Sequence, residues 1–154
     1  MIRILSIDPG KASGISLFEY EVGQEPKMIS TGEYQMREYA QPIRLAIASA
    51  LDAKVQILVV CERFIINAQT AKNTQAPYSL EMIGVAKQIM LDYGIDPDTL
   101  IFQSPSDAKA MFPNPALKKL DYWFVGGEGH SLDSIRHALL RAVKLGWIPR
   151  RLLQ

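Results

Sequence analysis

Four side chains able to bind a metal stand where segments of regular structure should begin or end. Asp8 closes one apolar run, Glu62 closes another, and His130 and Asp133 open the last helical segment. His130 and Asp133 are three residues apart and therefore share a helix face. Carboxylates held close together repel one another unless a cation lies between them, so a shared metal site is the natural way to combine these groups.

The ligand types indicate which metal this would be. Carboxylate oxygens with a single imidazole suit Mg²⁺ or Mn²⁺, ions that bind substrate phosphates while keeping some of their waters. Such a cluster can support hydrolysis by two metal ions, in which one lowers the pKa of an attacking water and the other stabilises the leaving oxygen. We therefore expect Asp8, Glu62, His130 and Asp133 to be both metal ligands and catalytic residues.

Each member taken alone also has an explanation without a metal. Asp8 precedes Pro9 and Gly10, a common turn sequence. Glu62 could be a solvated strand end. Ser131 could cap the last helix, whose positive N-terminus would favour Asp133.

Two neighbouring residues fit other roles less well. A phosphate-binding loop at Gly10 and Lys11 is excluded, because Ala12 stands where serine or threonine should follow the lysine and the upstream glycine is missing. His137 lies one turn beyond Asp133, and we expect it against the core or beside a metal ligand rather than as a ligand.

The elements that must position these residues follow from hydrophobic periodicity. Apolar, β-branched runs over 2–7 and 55–61 predict two buried strands. Segments 15–20 and 27–36 should complete an antiparallel meander with the first strand. Helical spacing over 40–53 returns the chain, so the strand over 55–61 should run parallel to the first and place Glu62 at the same edge as Asp8.

The second half of the chain alternates helices with one short strand. The expected elements are a loop over 67–77, a helix over 78–93, a strand over 99–103, a helix over 106–111 broken by residues 112–115, and a last helix over 131–145 opened by the glycine-rich residues 126–129. This order predicts an α/β fold with a mixed sheet flanked by helices. At 154 residues, we expect a single domain covering 1–154.

Composition limits the function classes. Lys and Arg total 17 against 16 for Asp and Glu, a formal net charge of +1, so any nucleic-acid surface must be local. The single cysteine, Cys61, excludes an internal disulfide and a cysteine-rich zinc site, which suits a reducing compartment. With no secretion signal or long apolar segment in the sequence, we expect a cytoplasmic protein without a membrane anchor.

Three motifs resemble, in the same order, those of the RuvC family of Holliday junction resolvases. They are Ile4-Leu5-Ser6-Ile7-Asp8-Pro9-Gly10 with Gly14 downstream, Val59-Val60-Cys61-Glu62, and His130-Ser131-Leu132-Asp133 with His137-Ala138-Leu139. The resemblance spans residues 2 to about 143, and the compact size is similar to that of bacteriophage members, which would place the protein in the cytoplasm of a bacterial host.

The resemblance implies a ribonuclease H-like fold and an Mg²⁺- or Mn²⁺-dependent endonuclease that cuts branched DNA, usually as a homodimer. By the match, Asp8, Glu62 and Asp133 are the metal-binding carboxylates, and His130 takes a place where some relatives have another aspartate and others a histidine. Four-way junctions are the expected substrate, with flaps and forks as other branched DNAs.

The resemblance also suggests which residues touch DNA. Lys109 resembles a lysine that relatives place near the DNA backbone. Dimeric relatives place an aromatic wedge a few residues beyond the glutamate, and this chain departs from that pattern, because Phe64 follows Glu62 at two residues and the next residues are Ile65-Ile66-Asn67. The full set of expected DNA-binding residues is Lys11, Phe64, Lys72, Lys109, Lys118 and Lys119.

Three other functions stay open at this point. A resolvase-like nuclease could act on RNA or RNA–DNA hybrids. A kinase of the actin-like fold would need a second domain and a second phosphate loop, for which 154 residues leave little room. A non-catalytic nucleic-acid-binding module of the same fold would have no evident reason to keep four aligned ligands.

Overall fold

A computed structural model describes residues 1–72, 76–124, 126 and 129–154 of the chain. Among them, five strands form one mixed sheet in the order β3-β2-β1-β4-β5. The strands are β1 (Ile2–Asp8), β2 (Ala12–Tyr20), β3 (Lys27–Gln35), β4 (Gln56–Glu62) and β5 (Ile101–Gln103). The α/β fold and the mixed sheet expected from the sequence are confirmed.

The register of the sheet brings the two strand-end carboxylates to one edge. β1 pairs antiparallel with β2 and parallel with β4, and Ile7 lies opposite Cys61. Because Asp8 and Glu62 are the next residues of these parallel strands, both leave the sheet at the same edge. The parallel arrangement expected from the intervening helix is therefore confirmed.

Helices cover both faces of the sheet. On one face lie α1 (Ala40–Asp52) and α2 (Ala76–Asp92), and on the other lie α3 (Pro105–Met111), α4 (Asn114–Lys119) and α5 (His130–Lys144). Successive residues of β1 serve the two layers, since Leu5 packs with α1 and α2 whereas Ile4 packs with α5. Burial on both faces explains why β1 and β4 are almost continuously apolar.

The start of α5 lies directly against β2, and Gly14 makes this possible. A Cβ added to Gly14 would lie 1.8 Å from the carbonyl oxygen of His130, far inside any real contact. Two residues further along β2, the hydroxyl of Ser16 lies 2.6 Å from that of Ser134 in α5. The packing of α5 on β2 therefore sets where the first turn of this helix stands relative to Asp8.

Several boundaries differ from the sequence prediction. The predicted break of the helix at 112–115 is confirmed, since α3 ends at Met111, but a further helix begins there that was not predicted: Pro115 sits in the first turn of α4, a position that tolerates the missing N–H. The start of the strand predicted over 99–103 is a 3₁₀ turn, Pro97–Thr99, capped by Asp96. Another 3₁₀ turn, Thr70–Lys72, occupies part of the predicted loop over 67–77, whose residues 73–75 lie outside the described residues. Residues 127 and 128 of the predicted helix start over 126–129 also lie outside them.

The last helix begins one residue earlier than predicted, at His130. Its N-cap position is Gly129, so the proposal that Ser131 caps this helix is wrong. Ser131 is buried, and its carbonyl oxygen accepts a hydrogen bond from Ser134.

In the part of the chain that the structure describes, none of the helices combines the length and the apolarity needed to cross a membrane.

Replacing Gly14 with alanine should lower the free energy of unfolding by about 3 kcal/mol, which is the upper end of the usual cost of overpacking. The cost is high because the new Cβ collides with backbone atoms and not with a side chain that could move away. Urea unfolding followed by circular dichroism measures the change. Gly84→Ala is the matched control, since nothing lies within 4 Å of its added Cβ and Gly84 stands inside α2. This control should gain up to about 1 kcal/mol from helix propensity. Equal stability of the two variants would contradict the close approach of α5.

Candidate metal centre

Three carboxylates from distant parts of the sequence converge at the edge of the sheet. Oxygen atoms of Asp8, Glu62 and Asp133 all lie within 4.8 Å of one another. Asp8 ends β1, Glu62 ends β4, and Asp133 lies in the first turn of α5. The structure therefore brings together the three acidic members of the site predicted from the sequence.

The turn after β1 is held by hydrogen bonds that fix the direction of Asp8. The Ser13 hydroxyl accepts from the backbone N–H of Gly10 and donates to the Gly10 carbonyl oxygen, both at 3.1 Å. From α2, the Ser79 hydroxyl donates to the carbonyl oxygen of Pro9 at 3.0 Å. Asp8 can therefore be both a turn residue and a metal ligand, because the fixed turn holds its carboxylate in place.

Asp8 is the most enclosed member of the triad, with 4% of its surface exposed. The pKa of Asp8 is raised to about 6: burial is the main cause and the nearby carboxylates of Glu62 and Asp133 add to it, while the hydrogen bond with His130 lowers it. An ionised Asp8 is therefore costly unless a positive charge is close.

His130 supplies part of that charge. Its Nδ1 lies 2.7 Å from Asp8 Oδ2, and this hydrogen bond raises the pKa of His130. The side chain is 43% exposed, so it stands between Asp8 and solvent. Within the described residues, the tight group of ligand atoms consists of the three carboxylates, and His130 is a neighbour bonded to one of them.

His137 orients the carboxylate of Glu62, and Gln103 in turn orients His137. The ring Nε2 of His137 lies 3.0 Å from Glu62 Oε2, and His137 is fully buried. The Gln103 amide nitrogen donates to the His137 carbonyl oxygen at 2.8 Å and lies 3.3 Å from Nδ1 of the ring. Since a carbonyl oxygen only accepts, the amide nitrogen must face His137, which makes Nδ1 an acceptor and leaves the proton on Nε2 for Glu62. The expectation that His137 lies in the core beside a ligand matches this placement.

Asp133 has two cationic partners. Arg136 Nη1 lies 2.6 Å from Oδ1, and Lys109 Nζ lies 3.3 Å from Oδ2. Arg136 is buried, and its other donors reach the carbonyl oxygen of Phe112 at 2.9 Å and the side-chain oxygen of Asn114. This arginine therefore joins α5 to the segment between α3 and α4 while it orients Asp133.

Sequence reasoning missed the roles of Arg136 and Gln103. Arg136 follows Asp133 by three residues in a helix, a spacing that places the two side chains on one face and could have identified the pair. Gln103 ends β5, and only the pairing of β5 with β4 brings it next to the end of the strand that carries Glu62. The sequence alone carries no signal for that contact.

The donor set fits a divalent cation that prefers oxygen. Three carboxylates offer hard ligands and a net negative charge, and Glu62 and Asp133 retain 23% and 17% exposure of their side chains. A route from solvent to the cluster therefore exists. A soft metal would be a poorer match, because it prefers sulfur ligands. Cys61, the single cysteine of the chain, is buried in the core with its thiol directed at a backbone carbonyl.

The residues expected to touch DNA differ in their surroundings. Lys109 contacts Asp133 directly, whereas Phe64 is half-buried two residues beyond Glu62. Lys11 lies 6.0 Å from the ring centre of Tyr78, and Lys118 lies 4.9 Å from that of Trp123. Lys72 and Lys119 are exposed.

Comparison with known proteins adds the fold. Neither a protein-family model nor a curated protein sequence matches the chain. Among solved structures, T. thermophilus RuvC in complex with a Holliday junction substrate is 15% identical, with a TM-score of 0.67 over 95% of this chain and 97% of that one. A second Thermus thermophilus RuvC structure is 14% identical, with a TM-score of 0.64 over 94% and 97%. The chain has the ribonuclease H-like fold of RuvC, as the sequence resemblance implied.

Asp8→Asn should stabilise the folded protein at neutral pH in the absence of divalent cations. The folded chain holds the Asp8 proton with a pKa of about 6, against an ordinary value of 3.8. The protonated group therefore favours folding below about pH 4, and this advantage is lost as the pH rises through about 6. About two pKa units correspond to a gain of up to about 3 kcal/mol for the variant at pH 8.

Urea unfolding in EDTA at pH 4, 6 and 8 measures this gain. The difference in unfolding free energy between the variant and the wild type should vanish at pH 4 and reach its full size at pH 8. A difference that does not change with pH would contradict the raised pKa of Asp8.

His137→Ala should weaken Mn²⁺ binding roughly 10- to 100-fold, because Glu62 loses the N–H that orients it. Calorimetric titration measures the affinity, and thermal unfolding checks that the variant is folded. His137→Gln should recover part of the affinity, since its amide can place a donor near the position of the ring Nε2. Unchanged Mn²⁺ affinity in a folded His137→Ala protein would show that Glu62 does not depend on this contact.

Proposed function

We propose that this chain is a divalent-metal-dependent endonuclease that hydrolyses phosphodiester bonds in branched DNA, with four-way Holliday junctions as the main substrate. The convergence of Asp8, Glu62 and Asp133 at one sheet edge, in a chain with the RuvC fold, carries the proposal. A structural relative that was solved with a Holliday junction substrate supports the choice of DNA over RNA.

Asp8, Glu62 and Asp133 would hold Mg²⁺ or Mn²⁺. With two such ions bound, one would lower the pKa of an attacking water and the other would stabilise the leaving oxygen. The chain's own groups aim the three carboxylates at one point: His130 bonds Asp8, His137 bonds Glu62, and Arg136 bonds Asp133. His130 stays our fourth ligand and catalytic residue, and with Nδ1 engaged by Asp8, its Nε2 is the atom left for a metal or for a proton.

Substrate selection in this proposal depends on phosphate contacts and shape. The lysines at 11, 72, 109, 118 and 119 would contact the backbone, and Phe64 would enter the branch point. Phosphate contacts position a protein without reading sequence, and they make affinity fall steeply with salt. A homodimer with two such centres would nick opposing strands symmetrically.

Asp8→Asn should abolish Mg²⁺-dependent cleavage while junction binding stays near the wild-type level. Loss of the several kcal/mol that a metal ion contributes to the transition state corresponds to at least about a thousandfold in rate. End-labelled four-way junctions, flaps, forks, RNA and RNA–DNA hybrids, each with Mg²⁺ or Mn²⁺, measure cleavage, and fluorescence anisotropy measures binding.

Asp98→Asn is the matched control, because Asp98 is exposed in a turn away from the sheet edge, and it should cut normally. EDTA should stop the wild-type reaction and added Mg²⁺ should restore it. Cleavage retained in the Asp8→Asn protein would refute the site, and a preference for the hybrid over the junction would refute the substrate.

A further inference from the structure

A cleft of about 620 Å³ opens beside Asp133, between α5 and the segment that carries α3 and α4. It adjoins the three-carboxylate cluster: Asp133 belongs to both, whereas Asp8 and Glu62 do not line the cleft. The side chains that determine its chemistry are Lys109, Asn114, Trp123, Leu132, Asp133 and Arg136. Its volume is within the range of pockets that hold small molecules, and one nucleotide would fit.

The polar groups of the cleft are not equally available. The guanidinium of Arg136 is already engaged by Asp133, Asn114 and the carbonyl oxygen of Phe112, so this arginine shapes the wall. Lys109 differs, because its side chain is 56% exposed and its ammonium has three donors. With one donor directed at Asp133, the others can meet an anion.

Trp123 gives the cleft an aromatic side that is already ordered. The indole is half-buried and packs against the core cluster that contains Phe112 and Leu117, yet it also borders the cleft. Lys118 Nζ lies 4.9 Å from the ring centre, although Lys118 is not among the residues that line the cleft. An anchored ring offers a stacking surface with little loss of conformational freedom on binding.

We infer that this cleft binds a single unstacked nucleotide of the nucleic acid strand, with its base against Trp123 and its phosphate on Lys109. The inference rests on the proposed function, because the shared Asp133 puts this nucleotide next to the bond that would be cut. Every base has a face that can stack on an aromatic ring, so the cleft would accept any base and would select for unpaired strands. Branched DNA supplies such nucleotides where its strands separate.

Tryptophan emission tests the contact directly. Trp123 and Trp147 are the two tryptophans, and Trp147 is 6% exposed and stacked on Phe112, so it contributes a steady background. In EDTA, which prevents cleavage, a short single-stranded oligonucleotide and a four-way junction should each change the emission, in step with binding measured by anisotropy. In Trp123→Phe the emission change should disappear while most of the affinity remains.

Affinity and turnover provide the second readout. Trp123→Ala should weaken binding of the single strand roughly tenfold, as for loss of one stacked base. It should also raise KM for the junction more than it lowers kcat. Lys109→Gln should weaken binding and flatten its salt dependence, whereas Lys144→Gln, an exposed lysine at the far end of α5, should change neither. Thermal unfolding checks each variant, and if Trp123→Ala does not fold, Trp123→Phe and wild-type emission decide.

The outcomes separate the two proposals. A wild-type protein that cuts junctions, but whose tryptophan emission does not change at saturation or whose folded Trp123→Ala variant binds with normal affinity, would overturn this inference alone. A wild-type protein that neither binds nor cuts any nucleic acid would overturn the proposed function and this inference together. Tight binding of mononucleotides in the cleft, together with an unchanged affinity of the Trp123→Ala variant for nucleic acid strands, would also overturn this inference.

Discussion

Mutual repulsion of three carboxylates within 4.8 Å is the constraint around which this edge of the molecule is arranged. Each acid has a basic side chain against it: His130 for Asp8, His137 for Glu62, and Arg136 with Lys109 for Asp133. The pKa of Asp8 is still raised to about 6, mainly because burial disfavours its charge and in addition because Glu62 and Asp133 repel it. A site in this condition favours any divalent cation that oxygen atoms can hold.

The rest of the fold can be understood as what holds those charges together. Parallel pairing of β1 and β4 puts two acids at one edge, and the glycine at position 14 lets α5 come close enough to add the third. The hydroxyl pair of Ser16 and Ser134 then fixes the helix along β2. Without this close approach, Asp133 would stand too far from Asp8 to bind the same metal ion.

The sequence predicted the position of a site residue correctly where that position depends on a single connection between two elements. Apolar runs ending in Asp8 and Glu62, with a helix between them, were enough to predict the shared edge, because a helical crossover makes the strands parallel. The alternative in which Ser131 caps the last helix is wrong, because Gly129 takes the N-cap position. The sequence prediction also missed α4, because proline at 115 was taken as a helix breaker although the first helical turn tolerates it. The contact of Gln103 with His137 could not be predicted, since it depends on how β5 pairs with β4, whereas the three-residue spacing of Asp133 and Arg136 could have indicated their ion pair.

Direct packing of α5 on β2 has a thermodynamic consequence. Asp133 and His130 belong to this helix, whereas Asp8 and Glu62 belong to the sheet, so an ion bound by the three acids connects the helix to the sheet. Ion binding and helix packing are therefore linked: packing of the helix raises the affinity for the ion, and the bound ion stabilises the packed helix by the same free energy. Slower amide exchange in β2 and in the first turns of α5 would be the visible sign of this coupling.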